Sequence, residues 1–246
     1  MDLNPKFQDM KLKVYSSGED ALRAVTEQLI ELMKQRRDPF HLALSGAGTA
    51  QKMFRIWVEE FRNGINWEQL RFYWVDERCV DPQDDESNYK HAYESLFQPL
   101  DIPVSHVHRI HGERDPEVEA EHYSEMVKWE LPGYSCLPRF NCVILGIGED
   151  GHTASIFPQN KNLLTDEHCY VVSEHPQSGQ KRITMTGTLI LNSKMILIPV
   201  IGTDKTNILR KVINVSQTDA FLLPASYIIS HAPEAIIYTD SQISVE

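Results

Sequence analysis

Several short stretches of the chain are apolar at almost every position: FHLALS (40–45), RFYWV (71–75), CVILGI (142–147), MILIPV (195–200) and AIIY (235–238). A strand with one wet face alternates apolar and polar side chains. A continuous apolar run of about four to eight residues between turn residues instead suits a strand covered on both faces. KLKVY (11–15) and CYVVS (169–173) are further candidate strands. Between them lie helical patterns. After a possible capping box at Ser16 and Glu19, Leu22, Val25, Leu29 and Leu32/Met33 recur at spacings of three and four up to about Arg36, where Asp38-Pro39 stops the helix. Helices are also expected at 49–62, around Asn88–Phe97, at 116–130 and at about 204–213. Strands alternating with helices predict an α/β fold. It is a doubly wound, mostly parallel sheet with helices on both faces, a Rossmann-like three-layer arrangement. Such sheets bind ligands outside the carboxyl ends of their strands.

The 246 residues, 41% hydrophobic and 24% charged, carry no repeat or long linker, so one domain spanning 1–246 is expected. The net charge of −11 argues against nucleic acid or an anionic membrane as partner, but not against a small anionic substrate. No segment is long and apolar enough to span a bilayer, and MDLNPKFQDMKLKV lacks a signal peptide's apolar core. Cys79, Cys136, Cys142 and Cys169 show no CxxC spacing, which predicts free thiols in a reducing cytoplasm and neither a zinc site nor a disulfide frame.

The strand ends carry the chemistry. In LALSGAGTAQKMF a strand runs through Ser45 into the small-residue turn Gly46-Ala47-Gly48 and then a helix at Thr49. Backbone amides and the hydroxyls of Ser45 and Thr49 can donate to phosphate oxygens there. A tight turn chosen for packing accounts for the same residues. In FYWVDERCV the charges of Asp76, Glu77 and Arg78 leave a buried strand together. A carboxylate–guanidinium pair that holds an anion and a solvated charge cluster are both open. Arg182 in QKRITMT and Lys205 in PVIGTDKTNILR are either ordinary surface cations or, if the sheet brings them to Ser45–Thr49, a phosphate clamp. In IGEDGHTASIFP, Gly148 and Gly151 allow backbone angles that other residues resist. His152 can project there as a general base supported by Asp150. The alternative is a histidine capping a short helix that starts near Thr153. Glycine flanks, a neighbouring carboxylate and the strand-end position together favour the base.

Taken in order, these loops resemble the 6-phosphogluconolactonase family, within the superfamily that also holds glucosamine-6-phosphate deaminases. LALSGAGT stands where that family has a strand and S-G-G-x-T. FYWVDERCVDPQDDESNYKHAYESLF is close to W-x-D-E-R-x-V…S-N-x-x-x-x-x-x-L-L. GIGEDGHTASIFP is nearly G-x-G-x-D-G-H-T-A-S-L-F-P, and RITMTGTLILNSKMILIPVIGTDKTNIL follows R-x-T…N…V-x-G-x-x-K, with PAS (224–226) as a late motif. The resemblance implies hydrolysis of 6-phospho-D-glucono-1,5-lactone without metal or organic cofactor; a monomer or weak homodimer is expected. Ser45, Gly46, Ala47, Gly48, Thr49, Arg182 and Lys205 would bind the 6-phosphate. His152 would activate water, Asp150 would support it, and Asp76 and Arg78 would shape the sugar-facing part.

The loop departs from the family at Ala47-Gly48, which removes a donor hydroxyl worth roughly 0.5–1.5 kcal/mol. A δ-lactone is an activated ester, so a positioned water and a base suffice, with Arg78 or an amide of the 146–152 loop as candidate donor to the carbonyl oxygen. Two alternatives stand beside it, an enzyme of the same fold and a protein of another class. A deaminase of this superfamily reads D-G-H-I-A-F-N-E-P and D-E-Y, where this chain has Phe157 and Asp76-Glu77-Arg78. A non-catalytic sugar-phosphate sensor would need neither His152 nor Asp150.

Overall fold

The computed structural model describes residues 11–46, 48–131, 137–215 and 219–243. The apolar runs pair as expected of strands covered on both faces. β1 (Lys11–Val14), β2 (Phe40–Leu44), β3 (Leu70–Trp74), β5 (Cys142–Ile144), β8 (Ile196–Val200) and β9 (Ile236–Thr239) form one six-stranded sheet in the order β1-β9-β8-β5-β2-β3. All its pairings are parallel. Every residue of β2, β5, β8 and β9 is buried, which explains why these strands lack polar alternation. Helices cover both faces. α1 (Gly18–Lys34) packs on β8 and β9 and against α2 (Gly48–Glu59), while α6 (Thr206–Ile213) packs with α7 (Pro224–His231).

From β2 the chain moves outward to the β3 edge, whereas from β5 it moves the other way to β8. The crevice above β2 and β5 is therefore the switch point at which folds of this kind place ligands. Register puts Leu42 beside Cys142 and Val143 beside Ile196. The loops after β2, β5 and β8 thus leave the sheet side by side.

Several expectations are corrected. The first helix is capped by Ser17, not Ser16. Ser17 has extended angles and its hydroxyl accepts from Asp20 N at 3.1 Å, so the chain enters the helix one residue later and Asp20 takes the place expected of Glu19. The helix expected at 88–97 is α3 (Asn88–Ala92) followed by a π-helical turn, Tyr93–Phe97. The strand expected at 169–173 does not join the main sheet. β6 (Tyr170–Glu174) and β7 (Lys181–Met185) form a hairpin that pairs antiparallel with β4 (Asp76–Arg78). The charged triplet is thus a short strand of a second sheet rather than a loop. α4 (Pro116–Glu130), capped by Asp115, packs on that hairpin. α5 (Gly187–Leu191) and α7 were not expected.

Candidate active site

A cavity of about 800 Å³ opens at the carboxyl ends of β2, β5 and β8. Its walls include Ser45, Gly48 and Thr49 from the β2–α2 connection, Asp76 and Arg78 from β4, and Asp150 and His152 from the loop after β5. Arg182 from β7 and Lys205 from the turn before α6 complete it. Gly46 lies against the Asn88 side chain and does not line the cavity. Ala47 falls outside the described residues. The tertiary fold thus brings Arg182 and Lys205 to the same cavity as the Ser45–Thr49 segment, which no spacing in the chain could establish.

The loop after β5 is shaped around an imidazole. Gly151 has φ +85°, and a Cβ on Gly148 would lie 2.1 Å from His152 Cε1. Gly148 is needed for space rather than for its backbone angle. No helix starts at Thr153. Thr153 instead pairs with Ile156 around a tight turn in which Ala154 takes φ +50°. A non-glycine residue there costs about 1–2 kcal/mol. The turn is held by Thr153 Oγ1 donating to Gly146 O (2.9 Å) and Ser155 N donating to Thr184 Oγ1 (3.0 Å).

His152 Nδ1 lies 2.5 Å from Asp150 Oδ1, which also accepts the His152 backbone N–H at 3.1 Å. Burial raises the pKa of Asp150, but the hydrogen bonds and charge of His152 outweigh it and hold the carboxyl below its ordinary value. An ionised Asp150 only accepts. Nδ1 therefore carries the proton, so in the neutral imidazole the lone pair lies on Nε2. The buried ring of Phe157 packs against the imidazole with centroids 4.7 Å apart.

Arg78 and Arg182 are directly opposed on β4 and β7. Like charges facing across a ladder are destabilising, so this pair makes the wall suited to an anion. Burial lowers the Arg182 pKa; Asp76 opposes that shift and Arg78 adds to it. The expected carboxylate–guanidinium pair within Asp76–Arg78 is not formed. Arg78 Nη1 donates to Asn88 Oδ1 (2.8 Å) and Glu86 O (2.5 Å). Asp76 accepts from Ser155 Oγ at 2.6 Å, and Ser155 Oγ in turn accepts from Arg182 Nη1 at 3.4 Å. Adjacent residues on an extended strand point to opposite sides, so Glu77 turns away from Arg78's guanidinium. The Nε–H groups of both arginines are buried without an acceptor among the described residues.

A family model described as glucosamine-6-phosphate isomerases/6-phosphogluconolactonase matches residues 16–237. The chain belongs to that family. It is 42% identical over 197 residues to the 6-phosphogluconolactonase of Treponema pallidum (strain Nichols), covering 79% of this chain and 81% of that protein. The crystal structure of devB protein superposes with a TM-score of 0.87 at 32% identity, covering 94% of this chain and 96% of that one. The 6-phosphogluconolactonase from Leishmania guyanensis superposes with a TM-score of 0.80 at 26% identity, covering 94% and 95%.

Sequence reasoning assigned no role to Asn88, Lys52, His175 or Gln177, all of which line the cavity. Asn88 fastens three segments. Its Nδ2 donates to Asp76 O at 2.9 Å, its Oδ1 accepts from Arg78, and Gly46 packs on it. Only its place in the S-N motif hinted at this. No group of three or more His, Cys, Asp or Glu able to hold a metal ion occurs among the described residues.

Proposed function

We propose that the chain, acting as one α/β unit, hydrolyses 6-phospho-D-glucono-1,5-lactone to 6-phospho-D-gluconate in the oxidative pentose phosphate pathway, with His152 as general base. The observation that carries this reading is the His152–Asp150 pair. With Nδ1–H held by an ionised carboxylate, Nε2 is free to take a proton from water as its oxygen attacks C1. The imidazolium that forms is stabilised by Asp150. Collapse of the tetrahedral intermediate breaks the bond from C1 to the ring oxygen, and His152 returns its proton to that oxygen. Arg182, Lys205, Thr49, Ser45 and the amides at the start of α2 hold the 6-phosphate. Asp76 and Arg78 form the sugar-facing wall.

Phe157 supports the lactonase over the deaminase. The deaminase motif carries a glutamate there, and in this chain an apolar ring lies 4.7 Å from His152 instead. The free thiols of Cys79, Cys142 and Cys169 fit a reducing cytoplasm, where we place the enzyme.

A coupled assay tests the reading. Glucose-6-phosphate dehydrogenase generates the lactone, and 6-phosphogluconate dehydrogenase reports the product as NADPH. The chain should exceed the spontaneous rate, and His152→Ala should lower kcat about 10²–10⁴-fold. Near-normal turnover by His152→Ala would remove the base. If the wild-type chain gives no acceleration, the lactonase reading fails, and ammonia release from glucosamine-6-phosphate would identify a deaminase.

A further inference from the structure

The cavity holds a second histidine whose hydrogen bonding is the reverse of that at His152. His175 sits at the start of the β6–β7 turn and lines the cavity. Its Nδ1 lies 3.2 Å from Ser178 N and 3.1 Å from Ser178 Oγ. A backbone N–H only donates, so Nδ1 must accept. The ring is therefore neutral, with its proton on Nε2. Protonating Nδ1 would set two N–H groups against each other. Burial, and then the charge of Arg182, push the His175 pKa down, in keeping with a neutral ring.

The turn is built to hold this ring. His175 N donates to Gln180 O and Gly179 N donates to His175 O, both at 2.9 Å, with Gly179 at φ +68°. Gln180 ties the turn down through Nε2 to Glu86 Oε2 at 2.6 Å, and its Oε1 accepts from Arg182 at 3.3 Å. The imidazole stands edge-on to Phe157, centroids 5.2 Å apart, and Phe157 is the ring that packs on His152. Arg182 lies over the same phenyl ring at 5.7 Å. One buried aromatic thus seats three cavity side chains. With Nδ1 turned into the hairpin, Nε2–H has no partner among the described residues.

We propose that His175 contacts the substrate, donating a hydrogen bond from Nε2 to an oxygen of the sugar phosphate bound in the cavity. The inference rests on the lactonase reading, since it takes its ligand from there. The two histidines then divide the work: His152 presents a lone pair and His175 presents a proton. A neutral, pre-set donor holds an oxygen without competing for the proton that His152 must move.

The test uses the full chain and 6-phosphogluconate, the stable product, as probe. Nitrogen chemical shifts of isotope-labelled histidine should show His175 in the Nε2–H form in the free protein, and adding the probe should move the Nε2 resonance more than Nδ1. His175→Ala should weaken probe binding roughly three- to tenfold, the worth of one hydrogen bond, with only a small fall in thermal midpoint from the lost Ser178 and Phe157 contacts. His175→Gln, whose amide nitrogen reaches about as far as Nε2, should recover part of the loss; His175→Phe should recover none. An Nδ1–H tautomer in the free protein, or unchanged probe affinity in His175→Ala, would overturn the proposal while normal wild-type turnover leaves the lactonase reading standing. Absent wild-type turnover would remove both.

Discussion

At the scale of single residues, the position of the His152 ring is set by what is missing at Gly148 and what is present at Phe157. A Cβ at position 148 would lie 2.1 Å from Cε1 and 2.2 Å from Nδ1 of the imidazole. Gly148→Ala therefore has to push the ring away from Asp150 or distort the loop. We expect kcat to fall about a hundredfold, the penalty for roughly 1 Å of misplacement of the proposed base. The urea midpoint should move little, because the displaced ring is part-exposed and not a core element. Coupled-assay kinetics set beside a denaturation curve would check this. A Gly148→Ala enzyme with wild-type kcat would mean that the ring tolerates another position.

At the scale of elements, Glu77 joins β4 to α3. Its carboxylate, 2% exposed, accepts from Arg78 N, Asn88 N and Tyr89 N at 2.8 Å each and from Ser87 Oγ at 3.1 Å. It covers the orphan amides at the start of α3 and fixes the strand that presents Asp76 and Arg78. Burial still dominates and pushes its pKa up to about 6, against those amides. Glu77→Ala leaves four donors without their acceptor, two of them buried and two half-buried, and should destabilise the fold by about 3 kcal/mol or more. Glu77→Gln, which keeps one acceptor oxygen, should cost less. Chemical denaturation of both variants measures the difference, and equal stability of the alanine variant and wild type would disprove the bracing role.

At the scale of the whole molecule, stability should depend on pH through buried groups that do not line the cavity. His41, on β2, is 8% exposed, with Nδ1 beside Tyr73 OH at 3.1 Å. Burial, reinforced by the positive surroundings of His108, Arg71 and Arg36, pushes its pKa down to about 4. The unfolded chain takes up this proton near the ordinary value of about 6.5. Stability from His41 is therefore complete above that value and is lost as pH falls through the folded pKa. Between about pH 7 and about pH 5 the loss is on the order of 2 kcal/mol. Glu77 works in the opposite sense. Its raised pKa gives stability that is complete below about 4.5 and is lost as pH rises through about 6. In a His41→Asn variant the acid-induced drop, read from urea curves at the two pH values, should shrink by about that 2 kcal/mol. An unchanged drop would assign the acid sensitivity elsewhere.

The sequence by itself determined the parallel sheet and pointed to the loops that line the cavity. Short continuous apolar runs between turn residues suit strands covered on both faces, and GEDGHTASIFP places a carboxylate, an imidazole and space-making glycines within one turn, where local spacing dictates contact. Ser45, Thr49, Asp150, His152 and Lys205 could be found because each sits just beyond such a run. The second sheet was not legible. Its strands are short, β4 is made of charged residues, and β6 resembles the other apolar runs until pairing partners are known. Only the tertiary structure decided that Arg78 faces Arg182, that Asp76 answers to Ser155 rather than to its neighbour, and that His175 reaches the cavity. Each of these contacts, apart from the covalent chain, depends on strand order and register, which long-range packing selects and no local pattern encodes.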